Sequence, residues 1–175
     1  MKYWYVLYVR TGSEENVKNL LGRWLDCERH LPFIPMRTLA FRRKGIVNKE
    51  KRICFPGYVF IQSSCESNEF LRELSLIVEK IKNAYMFLHY SDKSDIAMRE
   101  DEKSSLSKLI GRYFCIENSV GLIEGDKIRI VSGALVGMES KIKRINRHNR
   151  EAVIEIDMMG DIRQVTVVLE FIEKI

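Results

Sequence analysis

The pattern of apolar residues changes near residue 111, and this change limits the folds that the chain can adopt. Before it, three segments with helical apolar spacing alternate with β-prone runs, whereas after it only short β-prone runs and turn residues remain. Several short strands within about 55 residues favour a small barrel. We therefore predict an α+β chain with an α/β domain over 1–111, a linker over 112–121 and an all-β domain over 122–175.

The N-terminal half begins with a buried strand and an amphipathic helix. Tyr3–Val9 is aromatic and β-branched on both alternating faces, which is typical of a central strand. After a break at Gly12, Ser13 is placed to cap a helix whose first turn carries acidic residues. The apolar face of this helix repeats at helical spacing through Val17, Leu20, Leu21, Trp24 and Leu25.

The remaining elements follow from shorter signals. Pro35 predicts an edge strand around Leu31–Leu39, and a basic, hairpin-like segment runs from there to Arg52. Further on, the sequence predicts a bend and strand over Ile53–Ile61, helices over Asn68–Leu74 and Arg99–Ile110, and a strand over Ile77–Ile81. In the last third it predicts strands over Lys127–Val131, Met138–Ile145, Ala152–Asp157 and Ile162–Leu169, a last segment near Phe171, and tight turns at Gly160-Asp161 and Asn146–Asn149.

The formal net charge of +5 is concentrated in two segments. The first, residues 37–52, has seven cationic side chains and one acid, and the second, Lys141–Arg150, has five cationic side chains and no acid. Side chains alternate along a strand, so Lys141 and Lys143 are expected on one face and Arg144 on the other. Such segments either contact a polyanion or are solvated loops, and composition leaves both open.

Catalytic, metal and membrane functions find little support in the sequence. Cys27 and His30 have a metal-like spacing, but a zinc site needs about four ligands and no second Cys/His pair follows. We find no phosphate-binding glycine loop and no clustered acid pair. The longest apolar run is too short to span a bilayer. We therefore expect a cytoplasmic, monomeric binding protein without catalytic residues, metal or cofactor.

The order of several short motifs resembles the NusG family of transcription elongation factors. The residues concerned are Trp4-Tyr5-Val6, Gly12, Phe33-Ile34-Pro35, Phe55-Pro56-Gly57-Tyr58-Val59 and, near the C-terminus, Glu124-Gly125-Asp126-Lys127-Ile128-Arg129-Ile130 followed by Gly133 and Gly137. The last group resembles a KOW motif. The resemblance implies a NusG-type α/β sandwich with an antiparallel sheet, followed by a KOW barrel.

The resemblance also implies a partner, because such N-terminal domains bind the clamp coiled coil of RNA polymerase. Tyr8, Phe55, Tyr58 and Phe60 are the candidate contacts, since aromatic residues bury a large area at low entropic cost. Each of the four is either such a contact or a core residue. Tyr58 and Phe60 are expected on one strand face.

Within the family, the stretch Trp4–Gly12 resembles specialised paralogues such as the LoaP group, because housekeeping NusG usually lacks an aromatic residue where Tyr8 stands. This implies a processive antiterminator that binds a nascent RNA hairpin. The alternatives are a housekeeping NusG, whose KOW domain binds Rho or a small-subunit ribosomal protein, and a ribosome-associated RNA-binding protein. The candidate nucleic-acid contacts are Arg10, Arg42, Arg43, Lys44, Lys141, Lys143, Arg144, Arg147, His148 and Arg150.

Overall fold

The computed structural model describes residues 1–43, 46–124 and 127–173, and it confirms the predicted α+β class. The helices in this part of the chain are α1 (Glu14–Trp24), α2 (Ser67–Glu79) and α3 (Glu100–Ile110). The strands are β1 (Tyr3–Val9), β2 (His30–Phe33), β3 (Met36–Arg43), β4 (Ile46–Ile53), β5 (Tyr58–Ser63), β6 (Ala84–Phe87), β7 (Cys115–Ile116), β8 (Ser119–Glu124), β9 (Lys127–Ser132), β10 (Ile142–Asn146), β11 (Glu151–Met158) and β12 (Asp161–Glu173). No helix in these ranges is long and apolar enough to cross a membrane.

The described residues form two compact units, one of Met1–Ile34 with Phe55–Lys103 and one of Pro35–Cys54 with Ser104–Ile175. The first contains a sheet in the order β2-β5-β1-β6, in which β1 is central as predicted. One face of this sheet packs against helices, because Tyr5 stacks on Phe70 of α2 with ring centroids 3.6 Å apart. The opposite face carries the contacting rings of Trp4, Phe33 and Phe60.

The second unit contains a five-stranded sheet in the order β10-β11-β12-β8-β9 and a smaller sheet in the order β4-β3-β7. Strand β11 buries every second residue, from Ala152 to Met158, and exposes the residues between them to a greater degree. The long β12 pairs antiparallel with β11 through its first half and parallel with β8 through its second half. This pairing joins the predicted Ile162–Leu169 strand and the segment near Phe171 into one element.

Four local predictions need correction. The predicted strand over Ile77–Ile81 is wrong, because α2 continues to Glu79 with Phe70, Leu74 and Val78 buried on one face. Residues 139–141, predicted as strand, form a 3-10 turn before β10. The β11–β12 turn consists of Met159 and Gly160, one residue earlier than predicted, and both have positive φ, the left-handed backbone of a type I′ turn. Strands β7 and β8 begin within 112–121, where no strand was predicted. The domain boundaries themselves stay a prediction.

Candidate interaction surfaces

An aromatic patch, formed by the exposed Tyr8, Tyr85 and Met86 and the half-buried Tyr58, lies where β5, β1 and β6 come together. Tyr8 is opposite Tyr58 in one strand pair and opposite Met86 in the other. The Tyr8 ring lies 5.7 Å from that of Tyr58 and 5.2 Å from that of Tyr85, centroid to centroid. Tyr8 is 42% exposed and Tyr85 54%. Neighbouring exposed rings on a rigid sheet form a ready-made apolar contact surface.

A register shift explains how Tyr85 joins the patch. Val9 pairs with Ala84 and Tyr8 with Met86, so that Tyr85 is an extra residue in β6. Such a bulge redirects a side chain that regular alternation would place on the other face. Sequence reasoning missed Tyr85 and Met86, although the apolar run Tyr85-Met86-Phe87 beside Asn83 was a signal for a strand.

Phe55 and Phe60 lie in the core and not on this surface. Tyr58 and Phe60 do share a strand face, as predicted, but Phe60 is 0% exposed and contacts the rings of Phe33 and Phe55. A side chain without accessible area cannot contact a partner while the domain stays folded. Phe55 and Phe60 are therefore core residues, and the candidate contact residues that remain are Tyr8, Tyr58 and the β6 residues Tyr85 and Met86.

The basic cluster in the second unit divides into paired and unpaired cations. Lys141 contacts Asp157 at 2.5 Å and Lys143 contacts Glu155 at 3.1 Å, which neutralises the strand face next to β11. Arg144, Arg147 and Arg150 are exposed and form no ion pair within the described part of the chain. His148 is exposed beside them in the turn that joins β10 to β11. Within this cluster, the unpaired positive charge therefore lies on β10 at Arg144 and in the turn that follows it.

The face expected for Arg144 is corrected by the strand pairing. Lys141 and Lys143 share a face, as predicted, because their partners Glu155 and Asp157 are two residues apart on β11. A register shift between Ile142 and Arg144 then pairs Arg144 with Val153, which lies on that same outward face. The tip itself is the loop Arg147–Arg150, in which Asn149 N donates to Asn146 Oδ1 at 3.0 Å.

The structure says less about the candidate nucleic-acid contacts in the N-terminal part of the chain. Arg10 is exposed just after β1. Lys44 lies outside the described residues, as do the side chains of Arg42 and Arg43, and Gly125 and Asp126 of the KOW-like stretch also fall outside them. Of the other cations on the β3–β4 ribbon, Arg37 donates to Thr166 O and Arg52 pairs with Glu50.

One group of three potential metal ligands occurs among the described residues: His30, Cys65 and Glu73, with ligand atoms within 4.8 Å of one another. Arg29 already places its guanidinium there, with one nitrogen 2.8 Å from Cys65 Sγ and another bonded to Glu73. Cys27, which the sequence pairs with His30, is exposed and is not a member of the group. These contacts form an ion-pair network that links β2 to α2.

An aromatic patch on an antiparallel sheet flanked by helices, together with a mainly β unit bearing a basic hairpin, is typical of a protein that binds macromolecular partners. The sequence model of the family described as "Transcription termination factor nusG" matches residues 2–107. The chain belongs to the NusG family of transcription factors.

Individual relatives agree with this assignment over nearly the whole chain. The transcription termination/antitermination protein NusG of Streptococcus pyogenes serotype M3 is 26% identical over 167 residues, which cover 91% of this chain and 88% of the relative. NusG of Thermus thermophilus is 26% identical over 180 residues, covering 96% and 95%. A solved structure of Thermotoga maritima NusG, entitled "Domain interaction in Thermotoga maritima NusG", has a TM-score of 0.57 at 20% identity, covering 96% and 93%, and it supports the fold.

Proposed function

We propose that this protein is a LoaP-like processive antiterminator that docks as a monomer on the clamp coiled coil of RNA polymerase and binds a nascent RNA hairpin. The observation that carries the proposal is the aromatic patch: the ring of Tyr8 lies within 6 Å of the rings of Tyr58 and Tyr85, and Tyr8 and Tyr85 are exposed. Solvent-exposed aromatics held by strand pairing are the residues that dominate binding energy at protein interfaces.

The patch suits an α-helical partner. Side chains at positions i, i+3 and i+4 of a helix form a narrow ridge, and a row of rings across three strands offers a shallow surface for it. Met86 adds a flexible, polarizable side chain that adapts to irregular partner surfaces. A coiled coil presents such ridges on its outer faces.

The hairpin tip supports the RNA half of the proposal. Three guanidinium groups without an ion pair among the described residues lie close together in sequence, that of Arg144 on the outward face of β10 and those of Arg147 and Arg150 in the turn that follows, and guanidinium binds phosphate through paired hydrogen bonds. RNA hairpins are recognised largely by shape, loops and backbone, which a compact basic tip can contact. Arg10 and the β3–β4 ribbon are proposed as secondary contacts to nucleic acid.

A housekeeping NusG remains the alternative function, because the family match does not separate it from a specialised paralogue. In that case the second unit would bind Rho or a small-subunit ribosomal protein and would show no preference for structured RNA. A ribosome-associated protein is disfavoured, because it does not account for the match over residues 2–107.

The test measures binding of the full chain to core RNA polymerase and read-through of a terminator. The double variant Tyr8→Ala/Tyr58→Ala should weaken binding by at least about 2 kcal/mol and abolish read-through. Tyr113→Ala is the matched control, because Tyr113 is an exposed tyrosine of the second unit. Unchanged binding by the folded double variant contradicts the docking site.

The RNA half is tested separately with a structured RNA at low salt. Arg144→Gln/Arg147→Gln/Arg150→Gln should abolish RNA binding and leave polymerase binding intact. Lys80→Gln/Lys82→Gln/Lys93→Gln removes the same charge from exposed positions of the first unit and should leave RNA binding nearly unchanged. A wild-type chain that binds polymerase but no structured RNA supports the housekeeping alternative instead.

A further inference from the structure

Glu14 is a buried carboxylate next to the aromatic patch, and no cation contacts it among the described residues. It is 2% exposed and is the first residue of α1. Its two oxygens accept hydrogen bonds from two backbone amides, Oε2 from Gly12 N and Oε1 from Gly57 N, both at 2.7 Å. Removing a carboxylate from water is costly, so such a residue requires bonds of this kind.

Both amides belong to glycines whose backbone is in the left-handed region. Gly12 has φ +88 and begins the approach to α1, and Gly57 has φ +89 and occupies the third position of the turn Phe55–Tyr58. Tyr58 N donates to Phe55 O across this turn, and Pro56 at its second position completes a type II pattern. Glu14 therefore ties together two turns that lie 45 residues apart in the chain.

The tied turn leads directly to the patch. A Cβ placed on Gly57 would lie 3.7 Å from the ring of Tyr8, and Gly57 O accepts a hydrogen bond from Val9 N at 2.8 Å. Tyr58 is the next residue, and its ring lies against that of Tyr8. Any shift of Gly57 therefore moves Tyr58 relative to Tyr8.

We propose that Glu14 is a positioning residue for the polymerase-binding surface: its carboxylate holds the Phe55–Tyr58 turn so that Tyr8 and Tyr58 present one continuous aromatic face. The inference rests on the proposed docking function. A carboxylate is required because it accepts both amides at once, whereas a carboxamide has one acceptor and directs an N–H₂ group at the second amide.

The test compares Glu14→Gln with Glu15→Gln in the full chain. Glu15 lies in the same helical turn, is exposed and pairs only with Lys18 among the described contacts, so its variant removes an equal charge without touching the glycines. The measurements are affinity for core polymerase and ¹H–¹⁵N spectra that follow the Gly12 and Gly57 amides. Nuclear Overhauser effects between the Tyr8 and Tyr58 rings report the aromatic face itself.

Glu14→Gln should move both glycine amide resonances upfield, weaken the ring-to-ring signal and lower polymerase affinity by about tenfold, with Glu15→Gln unchanged. A folded Glu14→Gln variant with altered amides but wild-type affinity overturns the proposal and leaves Glu14 a purely structural role. Should it not fold, Glu14→Asp keeps the charge on a shorter side chain. If neither the Gln nor the Asp variant folds, Glu14 is required for folding itself, and this result also overturns the proposal.

The design separates this proposal from the docking function. If Tyr8→Ala/Tyr58→Ala leaves polymerase binding intact, the proposed function fails. The glycine amides and the ring-to-ring signal then still decide whether Glu14 sets the geometry of the two tyrosines.

Discussion

His30 Nε2 lies 2.9 Å from Glu73 Oε2, and this contact joins the edge strand β2 to the middle of α2. The other carboxylate oxygen of Glu73 bonds to Arg29, which also contacts Glu69 and Cys65. The hydrogen bond from His30, followed by that from Arg29, holds the pKa of Glu73 below its ordinary value. Folding therefore stabilises the ionised form of the Glu73 carboxyl group relative to the unfolded chain.

This relationship predicts an acid-sensitive contribution to stability. A carboxyl group whose pKa is lowered by folding stabilises the protein fully above its unfolded pKa, about 4.3, and this stabilisation is lost as pH falls through the folded value. Glu73→Gln should lower the free energy of unfolding at pH 7 and flatten its decline between about pH 5 and pH 3. Urea titrations at several pH values measure both effects.

Glu79→Gln is the control for this prediction, since Glu79 is exposed on the last turn of the same helix. It should leave the pH dependence near that of wild type. Parallel loss of stability in the two variants at every pH would show that the His30–Glu73 contact adds nothing to the fold.

Helical and strand periods predict β1 and β5 of the first sheet and the beginning of α2, but they miss β6 and the end of α2. The sequence predicts a helix over Asn68–Leu74 and a strand over Ile77–Ile81, a segment in which β-branched side chains occur. In the structure the four-residue spacing of Phe70, Leu74 and Val78 prevails, because it buries one continuous face. Burial against the rest of the fold thus outweighs the β preference of the branched side chains in this segment. The next strand, β6, begins only at Ala84.

The candidate sites show a second limit of sequence patterns. Alternation correctly places Tyr58 and Phe60 on one face, yet it does not reveal that Phe60 is fully buried whereas Tyr58 is only partly buried. The bulges beside Tyr8 and at Ile142–Arg144 change which side chains share a face, and neither has a local sequence signal. Both depend on pairing with a distant strand, which a single sequence does not specify.

Two glycines with positive φ provide a matched test of backbone packing. A Cβ on Gly133 would lie 2.2 Å from Asn118 O and 2.5 Å from Ser119 Cα, whereas one on Gly111 would meet nothing within 4 Å. Gly133→Ala should destabilise by about 2–5 kcal/mol, from strain and overlap together, and Gly111→Ala by about 1 kcal/mol. Equal decreases in the free energy of unfolding of the two variants, measured by thermal unfolding, would contradict the close approach at Gly133.

The cysteines should differ sharply in reactivity. Cys27 is exposed, whereas Cys54, Cys65 and Cys115 are buried, and burial raises the pKa of the Cys54 thiol to about 12. Since the thiolate is the reactive form, iodoacetamide at neutral pH should label Cys27 alone in the native protein and all four positions in urea. Peptide mass spectrometry reads the sites, and Cys27→Ser should remove native labelling.

The predicted C-terminal domain, 122–175, can be tested as a fragment that also contains the predicted linker, 112–121. Residues 112–175 include β7 to β12, whose inward side chains Ile130, Ile154, Ile156, Val165 and Leu169 are buried. We expect this fragment to be soluble, with a β-type circular dichroism spectrum and cooperative unfolding. A fragment that lacks cooperative unfolding would indicate that the second unit also requires its other segments, residues 104–111 and the β3–β4 ribbon, from which Arg37 donates a hydrogen bond to Thr166 O.

The ion pairs along β10 and β11 lead to a prediction about which cations bind RNA. Lys141 and Lys143 are compensated by Asp157 and Glu155, whereas Arg144 and Arg147 are unpaired within the described residues. A compensated cation displaces few counterions on binding, because its own carboxylate already screens it. Only unpaired cations should therefore contribute fully to the salt dependence.

Arg144→Gln/Arg147→Gln should flatten the slope of log affinity against log salt concentration by about 1.5, close to the full value for two phosphate contacts on single-stranded RNA. Lys141→Gln/Lys143→Gln removes the same formal charge from the same hairpin and should change the slope by much less. The experiment titrates salt against a fluorescent RNA hairpin with each double variant and wild type. Equal flattening by the two variants would mean that the lysines leave Asp157 and Glu155 for phosphate, and that RNA contacts the whole β10 face instead of its tip.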